Sequence, residues 1–201
     1  MPTLTSLLLA LADLTETEPR AEALATAAAL RAAAGHHGFG PEPPSLLDPE
    51  IRAAAGLPGA HTCARHLRAA QAFLPWQASP AASLQPATLA ATKAVATLIA
   101  PEGPIFAPDL RFGLFYQAPG IYYPLHAHEA AETYTILAGS ADWQAGDRRL
   151  ALGPGEAIHH PPQLPHAMRA GPGGFLAIWR WSGDIRFDSY RMLPDPDATD
   201  P

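Results

Sequence analysis

A chain of 201 residues, of which 48% are hydrophobic, is long enough for one domain with its own core or for one domain with an extension. The formal net charge of −6 and the lack of a patch rich in lysine and arginine exclude a typical nucleic-acid-binding protein. The single cysteine, Cys63, excludes an intramolecular disulfide and a metal site built from several thiolates, which fits a reducing compartment.

The first hundred residues are rich in alanine and leucine, which favours helices. We predict helices over 5–14, 20–34, 49–55, 62–73 and 86–100. His36 and His37 follow the second of these, and we expect them to form a solvated helix end. The apolar run 7–12 is too short to span a membrane, and no basic residue precedes it as in a secretory signal. We therefore expect residues 1–108 to form a helical N-terminal region of a cytoplasmic protein that does not bind membranes.

From residue 110 onward, short β-type runs alternate with glycine and proline. We predict strands over 110–117, 122–128, 133–138, 141–145, 148–152, 156–160, 166–170 and 175–182. Eight short strands suit a small jelly-roll barrel over 109–193, so the expected fold is mainly β with an α-helical N-terminal extension. The tail 194–201, PDPDATDP, is predicted to be disordered.

The stretch 120–139, GIYYPLHAHEAAETYTILAG, contains the residues with the clearest chemistry. If 122–128 is a strand, the alternation of side chains directs His126 and His128 to one face. A short turn then brings Glu132 back beside them. Two imidazoles and a carboxylate suit one divalent transition metal, and zinc, iron, manganese and nickel all accept this set of ligands.

A fourth ligand is expected from the segment 155–168, GEAIHHPPQLPHAM, in which His166 follows a proline-rich bend. His159 and His160 are neighbours on one predicted strand, so only one of them can face the same side as the metal ligands.

The spacing G-x5-H-x-H-x3-E-x6-G, which starts at Gly120, is that of the first motif of the cupin superfamily. The segment 155–166 resembles the second cupin motif, whose last histidine completes the metal site. Its usual P-x-G-x-x-H spacing and final asparagine are not reproduced here. Within the superfamily, YYPLHAHEAAETY, the long helical N-terminal region and the aromatic late strand resemble the cupin-type dimethylsulfoniopropionate lyases. This resemblance implies cleavage of dimethylsulfoniopropionate to dimethyl sulfide and acrylate.

Tyr134 is the expected catalytic base of such a β-elimination, because it is two positions after Glu132 and faces the same side of its strand. For a second pocket tyrosine, strand parity favours Tyr122, whereas the resemblance favours Tyr123 in a catalytic role. A bulge at Pro124 would allow either of them to enter the pocket.

The sulfonium group of the implied substrate is expected to rest on aromatic faces. The candidate substrate-binding residues are Tyr122, Tyr123, Trp179 and Trp181. No arginine is placed to bind the substrate carboxylate, so the metal is expected to do most of that work.

Two other functions share the same ligands. One is a different metal-dependent cupin enzyme, an oxygenase or isomerase acting on a small organic acid. The other is a non-catalytic cupin that binds a small ligand. The helical N-terminal region is expected either to cover the barrel mouth or to form the surface of a homodimer.

Overall fold

The computed structural model of the chain describes residues 2–35 and 38–198; His36 and His37 lie outside them. The helices are α1 (Pro2–Glu16), α2 (Ala21–Ala34), α3 (Asp48–Ala54), α4 (Thr62–Ala70) and α5 (Ala87–Ala91). The strands are β1 (Trp76–Gln77), β2 (Lys93–Ala100), β3 (Ile105–Phe106), β4 (Leu110–Gln117), β5 (Tyr122–Ala127), β6 (Ala131–Ala145), β7 (Arg148–Leu152), β8 (Ala157–His160), β9 (His166–Ser182) and β10 (Arg191–Met192). None of the described helices has the length and apolar character needed to cross a membrane.

The ten strands form one sheet that curls around an aromatic interior. Its two longest strands, β6 and β9, pair antiparallel along most of their length, with register shifts between Ile136 and Ala138 and between Gly139 and Ala141. Such bulges bend the paired strands, so the first half of β6 also pairs with β8 and its second half with β7. Gly139 has a positive φ, and a Cβ atom there would collide with the carbonyl oxygen of Gly174. Only glycine therefore allows this bend.

Alternate side chains of β2, β4 and β9 belong to two different cores. Ala96, Leu114 and Ile178 point outward and pack in the core formed with the helices. Phe115 and Trp179 point inward and belong to the core inside the curled sheet. The period-two alternation of strands thus separates a helix-covered outer face from an inner face that is free to build a site.

The N-terminal helices cover the outer face of the sheet, and α1 packs on α2 and α4 within the core that they form there. Leu4, Leu7, Leu8 and Leu11 recur at helical spacing and are fully buried. Full burial of each such side chain contributes about 1.5–3 kcal/mol. The predicted fold class, mainly β with an α-helical N-terminal extension, is confirmed.

The predicted helix over 86–100 is wrong in its second half. α5 ends at Ala91, and Lys93–Ala100 is instead the strand β2, which lies between β1 and β4. Because β2 is buried on both faces, its sequence is a nearly continuous apolar run, a pattern that does not distinguish a strand from a helix. The sheet consequently begins at Trp76, well before the predicted boundary at 108/109.

Two pairs of predicted strands are continuous in the structure. The glycines that indicated turns between them form bulges instead, so 133–138 and 141–145 lie within β6, and 166–170 and 175–182 lie within β9.

Part of the tail that is predicted to be disordered contacts β5. The Asp195 carboxylate accepts hydrogen bonds from the Tyr122 hydroxyl at 2.8 Å and from the Leu125 N–H at 2.7 Å. The described part of the tail, 194–198, thus contacts β5, and 199–201 lie outside the described residues.

One ion pair connects the segment that follows α1 to the strand β9. Both terminal nitrogens of Arg180 donate to the Glu18 carboxylate, at 2.6 and 2.7 Å. Arg180 points outward from β9 between two inward tryptophans and is only 4% exposed. Burial raises the pKa of the Glu18 carboxyl, but the hydrogen bonds and charge of Arg180 outweigh this effect and hold the pKa below its ordinary value.

We expect Glu18→Gln to lower the free energy of unfolding at pH 7 by about 2 kcal/mol, because Arg180 then stays buried without its counter-charge. Urea denaturation followed by tryptophan fluorescence measures the change. Glu16→Gln is the matched control, since Glu16 pairs with Arg31 at the exposed surface, where ion pairs contribute little.

The contribution of Glu18 to the free energy of unfolding should decrease as the pH falls. A carboxyl with a lowered pKa stabilises the folded state above its ordinary pKa and loses that contribution as the pH falls through the lowered value. The difference between Glu18→Gln and the wild type should therefore disappear in acid. Equal stability of the two proteins at pH 7 would contradict the role given to this pair.

Candidate active site

Three of the predicted metal ligands converge inside the barrel. The Nε2 atoms of His128 and His166 lie 3.2 and 3.1 Å from one carboxylate oxygen of Glu132. The three ligand atoms all lie within 4.8 Å of one another, and all three side chains are buried. His128 directly follows β5, Glu132 is the second residue of β6 and His166 is the first residue of β9, so three strand ends bring these side chains together.

His126 lies beside this group rather than within it. Its ring centroid is 4.0 Å from that of His166 and 4.0 Å from that of Tyr123, on which it stacks nearly parallel. Burial and the neighbouring His166 lower the pKa of His126 well below its ordinary value, so the ring is neutral at pH 7.

The question of which tyrosine enters the pocket is decided by a bulge in β5. The register with β9 shifts between Tyr123 and His126, so these two side chains share a face despite their odd separation. Tyr123 lines the cavity next to the metal ligands. Tyr122 lies on the opposite side, where its ring lies against Arg169. Of the two tyrosines, Tyr123 is therefore the one that lines this cavity.

The three histidines share one tautomer. Each has its Nδ1 atom close to a backbone carbonyl oxygen two residues away: Pro124 at 2.8 Å for His126, Ala130 at 3.0 Å for His128 and Leu164 at 2.9 Å for His166. A carbonyl oxygen can only accept, so Nδ1 donates in each case and the neutral ring presents its Nε2 lone pair. This is the arrangement by which proteins orient histidines that ligate metals.

The donor atoms fit a cation. Nε2 of His166 is buried and has no hydrogen-bond donor among the described residues, although it faces the Glu132 carboxylate. Burial raises the pKa of Glu132, but His128 and the other histidines outweigh it and hold the pKa well below its usual range. Two imidazole nitrogens and a carboxylate that converge away from water could hold a metal ion, and these ligands suit a divalent transition metal.

Further groups orient the carboxylate. The Trp181 Nε1–H donates to the second oxygen of Glu132 at 2.6 Å. Nδ1 of His160 lies 3.6 Å from the first oxygen, and its Nε2 accepts a hydrogen bond from the Trp143 Nε1–H at 3.0 Å. Of the two adjacent histidines, His160 is thus the inward one. His159 faces outward and contacts the Thr133 hydroxyl.

An aromatic cavity opens next to the ligands. Its walls include Phe115, Tyr123, Tyr134, Trp179, Trp181, Phe187 and Tyr190. Burial, together with the charge of Glu132, raises the pKa of the Tyr134 phenol well above its ordinary value. Tyr134 therefore lies where the sequence predicted, but it is protonated unless a nearby positive charge offsets both effects.

Sequence reasoning missed a polar network at one wall of the cavity. The hydroxyls of Tyr123 and Tyr190 lie 2.9 Å apart, and the Gln85 side-chain amide donates to both, at 2.6 and 3.0 Å. The same Gln85 accepts a hydrogen bond from Nζ of Lys93. Gln85 and Tyr190 are 105 positions apart and belong to no motif, whereas the single lysine at the start of an apolar run was a signal available in the sequence.

The profile of the dimethylsulfoniopropionate lyase family matches residues 40–177, more than half of the chain. The chain belongs to this family. It is 37% identical over 99 residues to the dimethylsulfoniopropionate lyase DddQ of Ruegeria pomeroyi, a match that covers 49% of each protein. It is 33% identical over 100 residues to the putative dimethylsulfoniopropionate lyase DddL of Cereibacter sphaeroides, which covers 49% of this chain and 42% of the relative. The chain thus aligns with about half the length of these curated relatives.

Solved structures are similar over nearly the whole chain. The crystal structure of DddQ from Ruegeria pomeroyi has a TM-score of 0.66 and 29% identity, covering 92% of this chain and 93% of that one. A structure described with the lyases RdDddP and RnDddQII has a TM-score of 0.72 and 26% identity, covering 96% and 98%. The predicted resemblance to the cupin-type lyases is confirmed.

We expect His166→Ala to weaken binding of zinc or manganese by at least about tenfold, because one of the converging Nε2 donors is lost. Competition with a chelator, followed by elemental analysis of the protein, measures the affinity. His159→Ala removes the same type of side chain from the outward face and should bind as the wild type does. Equal metal affinity in all three proteins would rule out the proposed site.

Proposed function

We propose that the chain is a metal-dependent lyase that cleaves dimethylsulfoniopropionate to dimethyl sulfide and acrylate. The observation that carries the proposal is the position of Tyr134, whose phenol lines the same aromatic cavity as His128 and Glu132 in a member of this lyase family. A base, a metal-binding group and aromatic walls together meet the needs of an elimination from a sulfonium carboxylate.

The metal ligands of the proposal are His126, His128, Glu132 and His166. A divalent metal bound there would supply Lewis acidity toward the substrate carboxylate. Trp181 and His160 hold the Glu132 carboxylate in place, and the backbone carbonyls hold the histidine rings. The chain therefore keeps its donor atoms oriented before any ligand arrives, which lowers the cost of organising the site.

Tyr134 is the proposed base. Its phenolate takes the proton from the carbon next to the carboxylate, and the electron pair of that C–H bond forms the new C=C bond. The bond between the β-carbon and sulfur breaks, and its electrons leave with sulfur as neutral dimethyl sulfide. The products are dimethyl sulfide, acrylate and the Tyr134 phenol. The leaving group is neutral, so no acid is needed to assist it.

The sulfonium group is proposed to rest on the aromatic walls. Trp179 and Trp181 meet edge to face with their ring centroids 5.9 Å apart, and Tyr123 lines the cavity with them. Ring faces attract a cation more strongly when water is excluded. Tyr123 is also the second catalytic candidate, since its hydroxyl is hydrogen-bonded into the network with Tyr190.

We expect Tyr134→Phe to lower the rate of dimethyl sulfide release by about 10²–10⁴-fold, because the variant keeps the ring and loses only the proton-accepting oxygen. Headspace gas chromatography of metal-loaded protein with dimethylsulfoniopropionate measures the rate. Tyr122→Phe makes the same chemical change outside the cavity and should release dimethyl sulfide at close to the wild-type rate.

Metal content of both variants should equal that of the wild type, since neither residue is a proposed ligand. Full activity of Tyr134→Phe would remove Tyr134 as the base. Absence of dimethyl sulfide from the metal-loaded wild type would refute the lyase proposal and favour a different metal-dependent cupin enzyme or a ligand-binding cupin.

A further inference from the structure

The only lysine of the chain, Lys93, lies inside the active-site cavity. It is the first residue of β2, and its side chain points to the inner face, as does that of Val95 two positions later. Lys93 is 3% exposed, whereas lysine side chains are almost never fully buried without a partner.

Among the described residues, the hydrogen bond and the ring contacts of the Lys93 side-chain nitrogen are all with neutral groups. Nζ donates one hydrogen bond to Oε1 of Gln85 at 2.7 Å, and Gln85 is neutral. Nζ also lies 4.2 Å from the ring centroid of Tyr123 and 5.9 Å from that of Phe115. In residues 2–35 and 38–198, no carboxylate oxygen lies within 4.0 Å of Nζ.

Burying an ammonium without a counter-ion costs free energy. An anionic group of a ligand that enters the cavity would offset this cost. Burial also lowers the pKa of Lys93 to about 7, although the charge of Glu132 opposes this, and a bound carboxylate would raise that pKa again. The ammonium has three N–H donors, and Gln85 takes one of them. The other donors are available to a ligand in the cavity.

We propose that Lys93 binds the carboxylate of the substrate and thereby selects small carboxylic acids over uncharged analogues. The inference rests on the proposed lyase function for the identity of the substrate, and it supplies the cationic group for the carboxylate that no arginine provides.

The position also suits the reaction. Phe115 contacts both Lys93 and Tyr134, with its ring centroid 5.9 Å from Nζ and 5.4 Å from the Tyr134 ring centroid. The proton that leaves is on the carbon bonded to the carboxylate carbon. A carboxylate anchored at Lys93 therefore holds that carbon near the proposed base, while the sulfonium end extends toward the aromatic walls. Lys93 is a substrate-positioning residue in this arrangement.

Acrylate and acrylamide are a matched pair of probes, because they have nearly the same shape and differ in charge. Calorimetry on metal-loaded protein measures the affinity of each. We expect Lys93→Met to weaken acrylate binding by about tenfold or more and to leave acrylamide binding unchanged. Lys93→Arg keeps the charge and should recover part of the affinity for acrylate. Equal losses for both probes, or no loss for acrylate, would overturn the assignment.

Kinetics with dimethylsulfoniopropionate separate this inference from the lyase proposal. If the wild type releases dimethyl sulfide, Lys93→Met should raise KM by about tenfold or more with unchanged metal content, and an unchanged KM would overturn the role of Lys93 alone. If the wild type releases none, the lyase proposal fails, but Lys93-dependent preference for acrylate over acrylamide still supports the carboxylate site.

Discussion

The buried carboxylate of Glu132 is the group on which the rest of the site depends. It is 3% exposed, its carboxylate accepts a hydrogen bond from the Trp181 N–H, and nitrogens of His128, His160 and His166 lie 3.1 to 3.6 Å from it. Cross-strand register makes this possible, because Glu132 pairs with His160 on β8 and with Trp181 on β9. Strand pairing thus aligns Glu132 with His160 and Trp181, the two side chains that lie against its carboxylate from β8 and β9.

The two faces of the sheet have different roles: the outer face packs on the helices, and the inner face lines the candidate active site. Outward residues of β2, β4 and β9 pack on the N-terminal helices, whereas inward residues of the same strands line an aromatic cavity. Burial of the groups that line this cavity strengthens the electrostatic interactions between them and makes an unpaired polar group there costly. The cavity combines a cationic Lys93, an anionic Glu132 and aromatic rings, a distribution of charge that complements a small zwitterion.

Residues of the site that are close together in the sequence could be predicted, whereas contacts that depend on strand register or on the tertiary fold could not. Strand alternation predicted that His126 and His128 share one face and that Tyr134 shares a face with Glu132, and the resemblance to the second cupin motif added His166. Regular strand alternation placed Tyr122 in the pocket, but the bulge after Tyr123 changes the register of β5 with β9. A single sequence does not reveal how two strands are paired. The buried strand β2 was predicted as a helix because a strand covered on both faces has no period-two pattern. Gln85 and Tyr190 meet only through the tertiary fold.

The most direct measurement of the central claim uses dimethylsulfoniopropionate that carries two deuterium atoms on the carbon next to the carboxylate. Metal-loaded protein is incubated with it, and the products are quantified by mass spectrometry. If Tyr134 removes one of these two deuterium atoms as a deuteron, dimethyl sulfide and acrylate form in equal amounts, and each acrylate keeps one deuterium. Release of dimethyl sulfide together with a carboxylic acid that keeps both deuterium atoms would contradict the elimination.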